Sequence, residues 1–310
     1  MDRLEAMRVF TSAVDEGSLS AAGRKLGMPL ATVSRKLSDL ETHLKARLLN
    51  RSTRGLTLTD AGRDYLAACK RILEDVTEAE RAAAGEFSEP RGDLVVTAPI
   101  VFGRLHVLPV ITDFLAAYPE VNVRMVQGDR IVHLLEEHID LAVRIGELPD
   151  SGMMATRLGS VRRVVCGHPD YFSAHGLPKV PLDLSGHRCI SFDMISSPDV
   201  WRFTVDGTEL AVPVRSRLVV NTAEAAIDAA IAGVGVTRVL SYQIEEPIRH
   251  GRLQTVLRAF EPTAVPASFV YTGQRRLPLK LRAFIDFAAP RLRDRLAIAA
   301  ERLGREAGEA

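Results

Sequence analysis

Residues 17–44 read GSLSAAGRKLGMPLATVSRKLSDLETHL, and two short helices can be read directly from them. Ser18 brings a side-chain oxygen to the start of a helix that turns Ala21, Ala22 and Leu26 inward and stops at Gly27. Pro29 suits the first turn of the next helix, where its missing N–H costs nothing. Val33, Leu37, Leu40 and Leu44 then recur at spacings of four, three and four. Two short helices joined through Leu26-Gly27-Met28-Pro29 form a helix-turn-helix pattern. Upstream, Leu4, Met7, Phe10 and Val14 make residues 3–15 an amphipathic helix. Downstream, Leu48-Leu49 and Leu56-Thr57-Leu58 flank Asn50-Arg51-Ser52-Thr53-Arg54-Gly55, which reads as a small hairpin, or wing.

Charge collects on this module. From Gly17 to Gly55 there are eight Lys and Arg against Asp39 and Glu41, a local charge of +6 in a chain whose total is +1. A basic N-terminal module on an acidic body points to nucleic acid. The window contains no Phe, Tyr or Trp on which an unpaired base could stack, so duplex DNA is the better fit. On 30–43, Val33, Leu37 and Leu40 face inward. The opposite side of the first turns carries Ala31, Thr32, Ser34, Arg35 and Lys36, donors and small groups suited to base edges and phosphates. Arg51, Thr53 and Arg54 on the wing are placed for backbone or minor groove.

Thr59-Asp60-Ala61-Gly62 opens a helical segment to about Phe87. Its apolar stripe, Leu66, Cys69, Ile72, Leu73 and Val76, is narrow between Arg, Lys, Asp and Glu. Such a seam suits a partner helix, so these residues are expected to join two chains. Ser88-Glu89-Pro90-Arg91-Gly92 then breaks the helix.

After Gly92 short apolar runs alternate with helical patterns. Strands are expected at Leu94–Thr97, Val121–Val126 and Leu141–Ile145, with helices at Gly103–Tyr118 and Ile131–His138. A second set runs from Arg163-Val164-Val165-Cys166 through Cys189–Phe192, a hairpin at Val205–Thr208, Leu218–Val220, the helix Thr222–Ala232 and the strand Gly235–Leu240. Ser268–Thr272 adds a strand and 278–303 a closing helix. This alternation predicts an α/β fold with mostly parallel sheet, in two subdomains with a cleft between them. Ligands of open α/β sheets bind at strand C-termini. The expected effector-binding residues are therefore Pro99, Val101, Phe102, Gly128, Asp129, Ile145, Phe192 and Thr222. Helix N-termini near Val101 and at Thr222, with Arg104 or Arg144, favour a carboxylate. A lip poor in Ser and Thr leaves room for an aromatic effector.

With 310 residues, 46% hydrophobic and 25% charged, the chain can bury a sizeable core and is not disordered. Cys69, Cys166 and Cys189 are far apart and form no CxxC pair, so neither a disulfide framework nor a metal site is expected, and a cytoplasmic location fits. Met1-Asp2-Arg3-Leu4-Glu5 is charged where a signal peptide is apolar, and no uninterrupted apolar run reaches spanning length, so no membrane partner is expected. No GxSxG, GxxxxGK[ST], HExxH or GxGxxG is present, and the histidines show no ligand spacing. No catalytic residue, metal or cofactor is expected. The readings left are a DNA-binding regulator, a cytosolic solute-binding protein and, without any supporting motif, an α/β enzyme.

Residues 1–62 resemble the winged helix-turn-helix of LysR-type transcriptional regulators. The likeness rests on Gly17-Ser18-Leu19-Ser20-Ala21-Ala22, Val33-Ser34-Arg35, Leu40-Glu41, Arg47-Leu48-Leu49-Asn50-Arg51 and Leu58-Thr59-Asp60-Ala61-Gly62. It continues through Ala98-Pro99-Ile100-Val101-Phe102-Gly103-Arg104, Tyr118-Pro119-Glu120-Val121 and Ile139–Gly146. Pro29, Leu30, Lys45 and Gly23 depart from the residues usual in that family. The resemblance implies a DNA-binding domain over 1–58, a linker helix that dimerises over 59–91, and an effector domain like a periplasmic binding protein over 92–310. Subdomain I would hold 92–161 and 267–303, and subdomain II 162–266. It further implies a small-molecule effector, tetramers built from two dimers on partly palindromic DNA, and RNA polymerase as a partner.

Overall fold

Asp2 starts the first helix of the computed structural model: its carboxylate accepts the Glu5 N–H, and α1 runs Arg3–Asp15. All residues are described except 53–54, 84–88, 151, 193–198, 274–276 and 306–310. The chain divides into two compact units, Met1–Gly92 and Asp93–Ala310.

In the first unit, Ser18 accepts the Ala21 N–H to cap α2 (Leu19–Leu26), and Gly27 ends it in the left-handed region. Pro29 sits just outside α3 (Leu30–Leu44) and not in its first turn; no side chain caps this helix. Lys45, at φ 53°, makes the left-handed turn after α3 without a glycine, a conformation that costs an L-residue roughly 1–2 kcal/mol. Gly23 has a steric reason: a Cβ there would lie 2.7 Å from the Met28 carbonyl oxygen. The wing pairs β1 (Leu49–Ser52) with β2 (Gly55–Leu58), antiparallel with Leu49 opposite Leu58. Thr59 accepts the Gly62 N–H and so caps α4 (Asp60–Ala83). Ala6, Phe10, Leu37, Leu40, Leu48, Leu49 and Cys69 form the buried core.

The second unit opens with β3 (Gly92–Ala98), then α5 (Ile100–Phe102), a π turn (Gly103–Val107) and α6 (Leu108–Ala117). β4 (Val121–Gln127), β5 (Leu141–Ile145) and β6 (Met153–Val161) follow. β7 (Arg163–Gly167), α7 (Pro169–His175), β8 (Cys189–Phe192), β9 (Val200–Val205), β10 (Thr208–Pro213) and β11 (Ser216–Val220) come next. The chain closes with α8 (Ala223–Ile231), β12 (Val236–Leu240), α9 (Glu245–Arg249), β13 (Gln254–Val256), β14 (Val265–Thr272) and α10 (Leu279–Arg305). One five-stranded sheet has the order β4-β3-β5-β14-β6, the other β11-β8-β12-β7-β13. Both are mixed, which corrects the expectation of a mostly parallel sheet. β3 is parallel to β5, but β14 returns antiparallel between β5 and β6; β8 is parallel to β11 and β12, but β7 is antiparallel to β12 and β13.

The helix expected over Ile131–His138 does not form. Arg144 donates to the Val132 carbonyl, which a helix would need for its own ladder, and His138 takes φ 53°. A single turn closes instead from Glu137 N–H to His133 O at 2.9 Å. Val132, Leu134 and Ile139 still reach a core. The run Ile100–Ala117 is long and apolar enough to span a membrane by length and composition alone, although it is not an uninterrupted apolar run. Arg104 and Asp113 interrupt it, and Val107, Val110, Ile111 and Phe114 are buried in the core of the first sheet.

Candidate functional site

α3 presents its face through burial of the other side. Val33 and Leu37 are fully buried and Leu40 nearly so, which turns Ala31 and Arg35 outward, both exposed, with Thr32 and Ser34 half-buried beside them. Arg35 has no ion pair among the described residues, so its guanidinium is available to a base pair or phosphate. Lys36 differs from its sequence reading: its ammonium is held by the Glu5 carboxylate of α1 and only 22% of its side chain is exposed. Pairing within the domain, and not an open groove-facing position, is what the structure gives it. Leu30, half exposed, extends the apolar edge of the face beside Ala31. Thr53 and Arg54 lie outside the described residues, as does the Arg51 side chain.

Glu41 fixes the wing against this helix, and Gly62 lets α4 close on the wing. One Glu41 oxygen accepts the N–H groups of Leu48 and Leu49, at 2.8 and 3.2 Å. A Cβ on Gly62 would stand 2.0 Å from the Leu48 carbonyl oxygen, so α4 can lie this close to β1 only through glycine.

On α4 the apolar stripe divides. Cys69 is fully buried in the domain's own core, and burial pushes its thiol up to about 11. That removes Cys69 from a seam between chains. Leu66 packs partly on the same core. Ile72, Leu73 and Val76, farther along, are half-buried.

At the strand ends of the second unit, the Gly128 N–H donates to Ala98 O at 3.0 Å and the Ile100 N–H to the Asp129 carboxylate at 3.1 Å. Thr222 caps α8 by accepting the Ala225 N–H at 3.3 Å. Arg104 is paired with Glu224 at 2.7 Å, which draws α8 to the first sheet's helix. Burial, reinforced by Glu224, raises the Asp129 pKa against the Ile100 N–H that lowers it. Pro99 is half-buried, whereas Val101 and Phe102 are inside the core, Phe102 edge-on to Tyr242 at 5.2 Å. Phe102 is therefore a wall behind the cleft and not a lip. Ile145 and Phe192 pack from both subdomains onto this same core, half-exposed. Arg144 spends its guanidinium on Val132 O. Tyr242 and Glu224 were missed from sequence. Tyr242 follows the end of β12, and the strand-end rule applied there would have found it.

Comparison with known proteins places these features together. Residues 4–63 match the model for bacterial regulatory helix-turn-helix proteins of the lysR family, and residues 87–293 match the LysR substrate binding domain. The chain is 35% identical over 289 residues to an HTH-type transcriptional repressor of Pseudomonas aeruginosa, covering 93% of this chain and 91% of that protein. It is 30% identical over 286 residues to the HTH-type transcriptional activator AaeR of Escherichia coli, covering 92% and 93%. Among solved structures, CrgA, a LysR-type transcriptional regulator from Neisseria meningitidis, matches with a TM-score of 0.60 and 29% identity over 93% of this chain and 98% of that one.

Proposed function

Because the chain belongs to the LysR family of bacterial transcriptional regulators, we propose that it reads its operator chiefly through the exposed face of α3 and answers to a small molecule held at the strand ends of its second unit. Arg35 carries the DNA reading: it is an exposed guanidinium, without an ion pair among the described residues, on a helix whose back is locked by Val33, Leu37 and Leu40. Ala31, Thr32 and Ser34 complete that face, and Arg51, Thr53 and Arg54 add wing contacts to the backbone. The uncapped N-terminus of α3 leaves backbone donors for a phosphate. The working division is 1–58 for DNA, 59–91 for dimerisation and 92–310 for the effector. Ile72, Leu73 and Val76 supply the seam between chains, and two such dimers make the tetramer. The protein acts in the cytoplasm, has no catalytic step of its own, and meets RNA polymerase at the promoter.

The effector is aromatic or otherwise apolar and offers a hydrogen-bond donor. Asp129 already caps Ile100, Glu224 stands in the first turn of α8, and Arg104 is neutralised by Glu224. A carboxylate would meet two acids there. The solute-binding alternative has no support, since residues 4–63 match a DNA-binding family. The test is a gel shift with the DNA upstream of the chain's own gene. A retarded band that Arg35→Ala weakens and that an effector modulates bears the reading out; binding no tighter than to random DNA overturns it.

A further inference from the structure

Among the described residues of the first unit, the large apolar side chains that stand most exposed are Met1, Leu4 and Leu30. Met1 and Leu4 lie at the start of the chain, whereas Leu30, 50% exposed, opens α3. Leu30 has no part in the core of that unit, onto which Leu19, Leu44 and Leu56 pack as partly buried neighbours. Nor does it close over the helix start, because the two positions that do so on either side of Pro29 are Met28 and Val33.

The backbone holds Leu30 in place from both sides. The Met28 N–H donates to Gly23 O at 2.8 Å, and Pro29 O accepts the Thr32 and Val33 N–H groups at 2.9 and 3.1 Å. Gly23 lets α2 press on this turn, for a Cβ there would lie 3.9 Å from the Leu30 nitrogen.

Helical spacing then sets what Leu30 faces. Leu30 and Ser34 are four apart, as are Ala31 and Arg35, so the four side chains are neighbours on one surface. Residues 30–38 carry Arg35 and Lys36 and no acid, so nothing on these turns repels a phosphate backbone. A leucine brings neither donor nor acceptor to a base edge; it can contact only apolar surface. In the major groove that surface is the C5 methyl of thymine. Over cytosine the same side chain would strip water from the N4 donor and return no hydrogen bond.

We propose that Leu30 is a specificity-determining residue that selects thymine by covering its methyl group in the major groove, an inference that rests on the reading of α3 as the operator-facing helix. Ala31 extends the apolar contact, and Arg35 keeps a separate base or phosphate farther along the helix.

The test uses the full chain and a duplex selected from random DNA by the wild-type protein. Affinity is measured by fluorescence anisotropy at fixed salt, for that duplex and for copies in which each thymine in turn is replaced by uracil, which lacks only the methyl. Uracil at one position per half-site should weaken wild-type binding about fourfold, the effect of one buried methyl. The same replacement should leave Leu30→Ala and Leu30→Gln unaffected. Leu30 is exposed, so both variants should melt with the wild type. Arg35→Ala should bind every duplex more weakly yet keep the uracil penalty, which separates the two residues. No uracil penalty at any position overturns the proposal. A full penalty in both Leu30 variants assigns the methyl to another residue and overturns it too. If the wild type selects no sequence at all, the reading of α3 fails and the proposal falls with it.

Discussion

The backbone N–H of Ile100 donates to the carboxylate of Asp129 over 3.1 Å, so an acid of the chain itself fills the helix start that an acidic effector would need. Asp129 is also raised in pKa by burial and by Glu224.

Asp129→Asn keeps an oxygen for Ile100 and removes the charge. The folded state of the wild type holds the Asp129 proton to higher pH than the unfolded chain does. Its contribution to stability is therefore largest below that window and falls as pH rises through it. Urea unfolding between about pH 4 and 7 should show a shallower decline for the variant. Calorimetry should show small acids entering its cleft better than the wild type's. Identical pH slopes for the two proteins would count against the assignment.

Arg35 and Lys36 are neighbours with different expected roles. Arg35→Ala should cost about 1–3 kcal/mol in operator affinity at fixed salt and relax sequence preference. Lys36→Ala breaks a partly exposed pair with Glu5 and should cost up to about 1 kcal/mol of stability, with the smaller loss of DNA affinity. Fluorescence anisotropy and thermal denaturation separate the two; equal losses of affinity would show that Lys36 leaves Glu5 for DNA.

Gly62→Ala should destabilise the DNA-binding unit by at least about 2 kcal/mol, because the new methyl overlaps the Leu48 backbone and cannot be relieved by a side-chain rotation. The gain in helix propensity, about 1 kcal/mol, does not offset it. Thermal unfolding checks this: a variant as stable as wild type would mean that β1 and α4 lie farther apart.

Charged residues at Ile72 and Val76 should yield monomers in analytical ultracentrifugation and abolish operator binding. Cys69→Ala should leave the oligomer intact. Its thiol, buried and raised to about 11, should resist alkylation at pH 8 in the folded protein and react after unfolding. Loss of the dimer in Cys69→Ala would return that residue to the seam.

Local chemistry let the sequence alone determine the helix-turn-helix. Ser18 caps the helix it opens, Gly27 ends it, and Val33, Leu37 and Leu40 mark the inner face, all within a few residues of what they control. The family motifs had physical reasons that only the structure exposed. Gly62 allows α4 to approach β1, and Asp140 clamps β3 by accepting the Val95 N–H at 2.7 Å. Where partners are distant in sequence, the pattern misled. β6 was not read, since its place is set by pairing with β14 more than a hundred residues on. Residues 131–138 had helical spacing, yet Arg144 took the carbonyl their ladder required. The chemistry of the cleft was decided the same way. Pro99, Asp129 and Thr222 could be named from strand ends, but whether those helix starts were open to an anion depended on where the Asp129 and Glu224 carboxylates come to rest. Those positions follow from packing between separate segments, which no local spacing encodes.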